Sequence, residues 1–486
     1  MLNFAPTKVY FKSTSKFIHS PMFQKFTIKI AVILAATSMF LTSCVKNPTP
    51  TSDEAKTYDS SVALKWNNLY LEVERSSAAK YRPPQSARVL AYIGLAEYEA
   101  LIQGMPSHNS LASRYQTLNI PQIEQGAVYH WPSVYNAVYA SLMKKFFPTD
   151  PIKVIDAANL YKIYAMETEL HNKYKVAFPE DVINRSEAYG VSVANAVYAY
   201  SSTDPIGHES YNKITDPNYV APAGLGLWKG NGSATAMGPS WGKCRMFAAL
   251  DADRQSGVPP IPYSEDPNSK YYQQANETRI AVNDIRAGKD YEGRWIAEFW
   301  GDDMAGATFT PAARLLAILN QVVEKDNSNL DKSVVAYAKM GIALNDAGVC
   351  CWALKYKYNI ERPDEYINRV MDKNWKPIMG EFLLGVNKGV VPPFPAYPSG
   401  HSTFGGVGAE IMANVFGYNF EITDRCHVDR KDFIGTPRTF RNFYDLGAED
   451  AYSRIPLGVH WRMDCEEGLR VGYLVGRRVN ALPWNK

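Results

Sequence analysis

A chain of 486 residues is too long for one small core, so it holds two domains or one large double-layered one. Its composition, 46% hydrophobic and 21% charged with 31 tyrosines, is that of a packed globular protein, and no repeat period or long low-complexity tract marks it as a solenoid or a disordered chain. The formal charge of +3 falls to −2 once residues 1–43, with five lysines and no acid, are removed, which argues against nucleic acid as a partner.

Lys25 and Lys29 precede an apolar run, Ile30 to Leu41, of twelve residues. That is too short to cross a bilayer and suits the core of a signal peptide. The run ends in Leu41-Thr42-Ser43-Cys44, which resembles the lipobox of bacterial lipoproteins. The resemblance implies cleavage after residue 43 and lipidation of Cys44. It also implies a chain anchored in the cell envelope, at the outer membrane, facing the periplasm or the cell surface. The plain alternative is a buried N-terminal helix ending at a chance cysteine. Met22 is a second candidate start, since residues 1–21 add nothing that a signal needs. The other five cysteines (Cys244, Cys350, Cys351, Cys426 and Cys465) are odd in number and lack CxxC spacing. They read as structural, with at least one free thiol, and not as a zinc site.

Residues 44–60 are polar and proline-bearing, a tether. Helical periodicity follows: Val62, Trp66, Leu69 and Tyr70 share one face, and Pro83-Pro84 with Ser86 opens a second helix carrying Val89, Leu90, Ile93 and Leu101. Amphipathic stretches recur at 133–146, 152–175 and 184–201, completing an N-terminal bundle over 61–202 with no strand pattern. Residues 203–268 are rich in Gly, Pro and Ser with interspersed tryptophans, a long irregular crossover that reads as a functional lid or strap. Helical patterns resume near Tyr271 and recur at 294–300, 311–324, 330–356, 400–416 and 457–477, giving a C-terminal bundle over 269–486. The expected fold is all-α: two tandem helical bundles joined by a long ordered crossover loop.

Three segments of the second half share one chemical theme. Lys355 closes a helix ending near Tyr358, and six residues later Arg362 precedes Pro363, which pushes it out of the helical region. Two cations so placed grip one anion from two directions. In Pro398-Ser399-Gly400-His401, Ser399 stands where an N-cap would, Gly400 admits close approach to backbone N–H groups, and a helix N-terminus favours an anion. In the third segment Ser453-Arg454 is followed by His460 and Asp464, four apart, expected on one helical face with the carboxylate orienting the imidazole. Each has a bland counterpart: solvated cations at a helix end, an ordinary cap, and a surface His/Asp pair.

In order and spacing, the three segments from Lys355 to Asp464 resemble the vanadium-dependent haloperoxidases and their relatives, the type 2 phosphatidic acid phosphatases and class A acid phosphatases. The resemblance implies one oxyanion pocket. Lys355, Arg362 and Arg454 would neutralise oxygens there, and Ser399 and the Gly400 N–H would donate hydrogen bonds. His460 would be the ligand of vanadium, or the phosphatase nucleophile, and His401 the acid–base residue. The proline-rich approach, Pro392 to Pro398, would fix that acid at a helix N-terminus. Trp352 and Phe394 resemble the aromatics beside the halide region of chloroperoxidases, where bromoperoxidases carry a histidine at the Phe394 position. Phe299-Trp300-Gly301-Asp302-Asp303 resembles a segment whose acid pairs with the second arginine, making Asp303 the expected partner of Arg454. The cofactor implied is vanadate, with peroxide and halide as small-molecule substrates. Ile455-Pro456 and the long loop depart from the pattern, which leaves substrate access and halide preference open. Two alternatives stand beside a haloperoxidase: a phosphatase using the same pocket without vanadate, and, of a different class, a lipid-anchored glycan-binding protein, against which the trapped cation set argues.

Overall fold

In the computed structural model the described residues are 53–486, apart from 78–79, 82, 151, 213–214, 231–235, 305 and 385–388. The expected signal segment, the Cys44 lipobox and most of the tether lie outside them. Helix α1 (Ser61–Ser76) leads into α2 (Pro83–Leu101), which opens on two prolines; the first turn tolerates them because N–H groups there have no carbonyl to bond within the helix. Helices α3 (Trp131–Phe146), α4 (Ala157–Lys175) and α5 (Glu180–Ser202) complete the first bundle. The expected helix from residue 152 starts only at Ala157, because the Asp156 side chain accepts the Asn159 N–H at 2.8 Å and caps it there.

After the crossover come α6 (Lys270–Arg286), α7 (Tyr291–Phe299), α8 (Pro311–Asp326), α9 (Leu330–Tyr358), α10 (Pro363–Val370), α11 (Glu381–Leu384), α12 (Gly400–Phe416), α13 (Phe443–Tyr452) and α14 (Arg462–Asn480). Among the described residues the only strands are β1 (Ile422–Asp424) and β2 (Arg438–Phe440), an antiparallel pair with Thr423 opposite Thr439. The fold is all-α. Helices α10 and α13 and the short ribbon were not legible as periodic runs. The expected helix over 457–477 begins instead at Arg462, and Leu457 to Trp461 form a non-helical approach to it.

Helix α9 is the central element. It is long and apolar enough to cross a membrane, but 94% of its most apolar window is buried inside the protein, as befits a core helix. A Cβ at Gly341 of α9 would stand 2.3 Å from the Leu90 carbonyl oxygen of α2, so the two helices cross backbone against backbone and only glycine fits. One continuous apolar core, from Ala55 to Trp484, takes residues from both halves of the chain. A second cluster, including Tyr271, Val282, Tyr366, Trp375 and Trp461, packs under α6 and α10.

Residues 203–268 contain no helix longer than three residues among those described, yet the segment is tied down as a strap over α9. The buried Asp346 carboxylate of α9 accepts the N–H groups of Phe247 (2.9 Å), Ala248 (2.7 Å) and Ala249 (2.8 Å). Trp228 N donates to Asn359 O at 2.8 Å, and Met237 N donates to Pro393 O at 2.9 Å. The strap therefore reaches the proline-rich approach to α12.

Candidate active site

The elements bring all three segments to one place. Asn359 takes a left-handed conformation and ends α9 just beyond Lys355. Arg362 is the extended N-cap residue of α10, turned off the α9 axis as the following proline requires. Ser399 caps α12, its Oγ accepting the Ser402 N–H at 3.3 Å, so its hydroxyl proton remains available to a ligand. Gly400 and His401 are the first residues of α12, where backbone N–H groups lack intrahelical acceptors. A Cβ at Gly468 of α14 would lie 2.7 Å from the Ser399 carbonyl oxygen, and Ser399 N donates to Asp464 O at 2.9 Å. That contact clamps the start of α14 to the start of α12.

His460 and Asp464 do not share a helical face. His460 lies in the non-helical approach, Trp461 is the N-cap, and Asp464 is the third residue of α14. The expected pair still forms: His460 Nδ1 is 2.9 Å from Asp464 Oδ2. His460 Nε2 lies 3.1 Å from Arg362 Nη1, and a guanidinium only donates, so Nε2 is the unprotonated nitrogen and Nδ1–H points at Asp464. Burial, reinforced by the charges of Arg362, Lys355 and Arg454, pushes the His460 pKa far down and keeps the ring neutral. Burial also lifts the Asp464 carboxyl to about 7, against the Trp461 N–H that it accepts. A neutral imidazole with its second nitrogen tied to a carboxylate is the state in which histidine ligates metals.

The cations are buried. Lys355, Arg362 and Arg454 are each 0% exposed. Lys355 Nζ donates to the carbonyl oxygens of Pro395 (2.9 Å), Ala396 (2.9 Å) and Pro398 (2.5 Å). The proline-rich approach thus has a second duty: its carbonyls hold the lysine, whose three donors are all engaged, so Lys355 offers an anion its charge and not a free N–H. Burial lowers its pKa to about 7 and that of Arg362 to about 10. Arg362 spends Nε on Phe394 O (3.0 Å) and Nη1 on Val459 O (2.8 Å). Arg454 spends Nη1 on Trp300 O (3.0 Å) and Nη2 on Asp303, the partner expected from sequence.

Asp303 also stands 3.7 Å from His401 Nε2. Burial works to raise the Asp303 carboxyl, but His401, Arg454 and Arg362 outweigh it and hold it below the usual range. Burial and the Arg454 charge lower His401 to about 4 against the pull of Asp303, so its ring is neutral near pH 7.

Arg362 Nη2, Arg454 Nε and His401 Nε2 are buried with no hydrogen-bond partner among the described residues. Arg454, His401, His460 and Gly400 line one small cavity, walled on its apolar side by Trp352, Phe394 and Phe404. Unsatisfied cationic donors cost several kcal/mol in a protein interior unless something answers them, and a tetrahedral oxyanion is what this donor set answers. Gly400 belongs to that cradle: a Cβ there would meet only Trp352, at 3.6 Å, so no neighbour demands glycine and the space it leaves is the cavity's.

The Trp352 and Phe394 rings lie 5.2 Å apart, and Phe394 stacks over both cations, 4.9 Å from Arg362 Cζ and 5.0 Å from Lys355 Nζ. Trp352 Nε1 donates to Met237 O at 3.3 Å, so the strap orients this tryptophan. Met237 and Met379, whose Sδ lies 3.7 Å from Arg454 Nη2, carry no motif; only the length of the strap points to the region of Met237. The cysteines Cys244, Cys350, Cys351, Cys426 and Cys465 are all free thiols, and no group of three metal-ligating side chains occurs among the described residues.

Comparison with known proteins gives the following. Residues 335–482 match the family model described as the VCPO second helical-bundle domain. The chain is 24% identical over 506 residues to the vanadium chloroperoxidase of Curvularia inaequalis, across 86% of this chain and 81% of that protein. The crystal structure of the first bacterial vanadium-dependent iodoperoxidase superposes with a TM-score of 0.76 at 27% identity, over 90% of this chain and 99% of the other. A holo-type bacterial vanadium-dependent chloroperoxidase, 13% identical with a TM-score of 0.57 over 83% of this chain and 94% of that one, shares the fold.

Proposed function

Because the chain belongs to the superfamily of the vanadium-dependent haloperoxidases and is an oxidoreductase of that kind, we propose that it holds vanadate in the cavity at the start of α12 and oxidises halide with hydrogen peroxide to hypohalous acid. The observation that carries this reading is that two buried guanidinium nitrogens, Arg362 Nη2 and Arg454 Nε, lack partners, and that Arg454 lines one cavity together with His401, whose Nε2 is likewise unpartnered, and the unprotonated His460. His460 Nε2, the unprotonated nitrogen, would ligate vanadium, and Arg362 and Arg454 would neutralise its oxygens. Ser399 Oγ and the Gly400 N–H would donate to the other oxygens, and Lys355 would add charge. Bound there, vanadate supplies a Lewis acid that polarises peroxide without changing oxidation state.

The rest is the work of the chain's own residues. His401, neutral and 3.7 Å from the Asp303 carboxylate, takes a proton from incoming hydrogen peroxide at Nε2, and the imidazolium so formed is stabilised by Asp303. It returns that proton to the departing oxygen as halide is oxidised; one halide, one peroxide and one proton give one hypohalous acid and one water. Trp352 and Phe394 keep bulk water from the halide side. We also propose, from the segment Leu41-Thr42-Ser43-Cys44 alone, that the mature chain is anchored in the cell envelope through Cys44.

The test is to strip the purified chain with chelator, titrate it with vanadate, and follow peroxide-dependent oxidation of iodide, bromide and chloride. Halide oxidation that rises with vanadate and saturates near one per chain supports the reading. Efficient phosphomonoester hydrolysis by the vanadate-free protein, with no halide oxidation after loading, would establish the phosphatase alternative.

A further inference from the structure

Trp352 stands on α9 one turn before Lys355, is 1% exposed, and lines the oxyanion cavity. The benzo edge of its indole faces the start of α12: an added Cβ at Gly400 would meet Cζ3 at 3.6 Å and Cη2 at 3.7 Å. The pyrrole edge faces the strap. There Nε1 donates to Met237 O at 3.3 Å, and an added Cβ at Gly238 would stand 2.8 Å from Nε1 and 3.0 Å from Cδ1. The indole is therefore a spacer that spans from the strap to the first turn of α12.

The strap end of this spacer is fixed. Met237 O accepts a second donor, Tyr356 OH, at 2.7 Å, and Met237 N donates to Pro393 O at 2.9 Å. An added Cβ at Gly242 would stand 2.5 Å from Ala353 Cα, so the strap backbone lies directly on α9 beside Trp352. At the C-terminal cap of the same helix, Tyr219 OH donates to Asn359 Oδ1 at 2.9 Å and Trp228 N to Asn359 O at 2.8 Å. Gly238 itself has φ of +70°, a conformation that a residue with a Cβ adopts only under strain.

We infer, resting on the oxyanion reading of this cavity, that the strap pair Met237-Gly238 determines which oxyanions it admits. By fixing how far the Trp352 ring reaches toward Gly400, the pair sets the size of the tetrahedral anion that fits. Both are positioning residues that act through the indole. Trp352 brings no N–H to the anion, because its one donor is engaged by the strap, so its part in recognition is steric. Protein interiors are close-packed, and a push on one edge of a rigid ring is passed to the other. A methyl group at Gly238 presses on the pyrrole edge and drives the benzo edge toward Gly400, where contact at 3.6 Å leaves little slack. The larger the anion, the more affinity it then loses.

Sulfate and tungstate test this, because at mildly alkaline pH both are tetrahedral dianions and tungstate is the larger. Calorimetric titration of the vanadate-free full chain with each gives the ratio of their affinities, tungstate over sulfate. In Gly238→Ala that ratio should fall at least about fivefold, a shift of about 1 kcal/mol. In a Trp352→Phe background the same change should leave the ratio within about twofold, because the phenyl ring lacks the edge on which the methyl presses. Thermal melts should fall in both backgrounds alike, since the strain of a positive φ does not depend on the tryptophan. Should Gly238→Ala fail to fold, Tyr356→Phe carries the test: it takes one donor from Met237 O, lets the spacer recede, and should raise the ratio at least about twofold. An unmoved ratio in the variant that folds, or an equal fall on the Trp352→Phe background, would overturn the strap's role with the oxyanion reading intact. No saturable binding of either anion to the wild-type chain would overturn that reading and this one together.

Discussion

Asp464 Oδ2 stands 2.9 Å from His460 Nδ1 and accepts the Trp461 N–H at 3.1 Å, so one carboxylate both caps α14 and fixes the histidine tautomer. Asp464→Ala removes the tautomer lock and should weaken vanadate binding by about 10–100-fold, the usual cost of losing a carboxylate behind a metal-ligating histidine. It also removes a helix-start acceptor worth ~1 kcal/mol. Asp464→Asn, which can still accept from Trp461 N–H, should recover the stability but not the full affinity. Equilibrium dialysis alongside thermal melts of both variants separates the two duties; equal losses in both measurements would contradict them.

Asp303 links Arg454 to His401, the proposed acid–base residue. Its carboxylate favours the charged form of His401, so Asp303→Asn should move the His401 limb of the pH–rate profile toward lower pH. The same change deletes a negative charge at the cavity wall, so tetrahedral anions should bind more tightly while turnover falls. A variant with weaker anion binding and an unmoved pH profile would show that Asp303 is only structural.

Anion binding should take up protons. With the cavity free of anion, burial holds Lys355 at about 7 and His401 at about 4. An anion facing them favours their charged forms and raises both values. For a group whose pKa rises on binding, the gain in affinity is fully present below its free value and is lost as pH climbs through its bound value. Affinity for sulfate, a dianion throughout this range, should therefore fall as pH rises above about 7. Calorimetry at pH 7.5 in two buffers of different ionisation enthalpy should show net proton uptake; proton release would contradict the assignment.

Cys44→Ser should free the chain from membranes. The motivation is the short apolar run ending in Leu41-Thr42-Ser43-Cys44. Fractionation with mass spectrometry of the mature N-terminus checks it, and an intact N-terminus on a cytoplasmic wild-type chain would remove the basis for envelope placement.

The oxyanion set was legible because its chemistry is local: a cation before a proline, an N-cap followed by glycine and histidine, and a histidine four residues from an acid are each short-range patterns. Asp303 was found through a resembling segment, and the structure confirms its pairing with Arg454. The tertiary use of these residues was not legible. That Lys355 would exhaust its donors on the Pro395, Ala396 and Pro398 carbonyls depends on how the strap and the α12 approach fold back on α9. His460 was placed on a helix because its spacing to Asp464 fits one; a helix N-cap with its third residue folded back gives the same spacing. Met237 holds Trp352 through a backbone carbonyl, which no local pattern announces.

The most direct measurement of the central claim is vanadate binding with steady-state halide oxidation on His401→Ala and His460→Ala, side by side. His460 is the proposed protein ligand of vanadium and His401 the proton carrier. The account predicts that His401→Ala retains vanadate while losing about 10²–10⁴-fold in turnover. It predicts that His460→Ala binds vanadate more weakly, with the pocket still attracting tetrahedral anions through Arg362 and Arg454. If His401→Ala lost vanadate while His460→Ala bound it normally, the two roles would be reversed and the account contradicted.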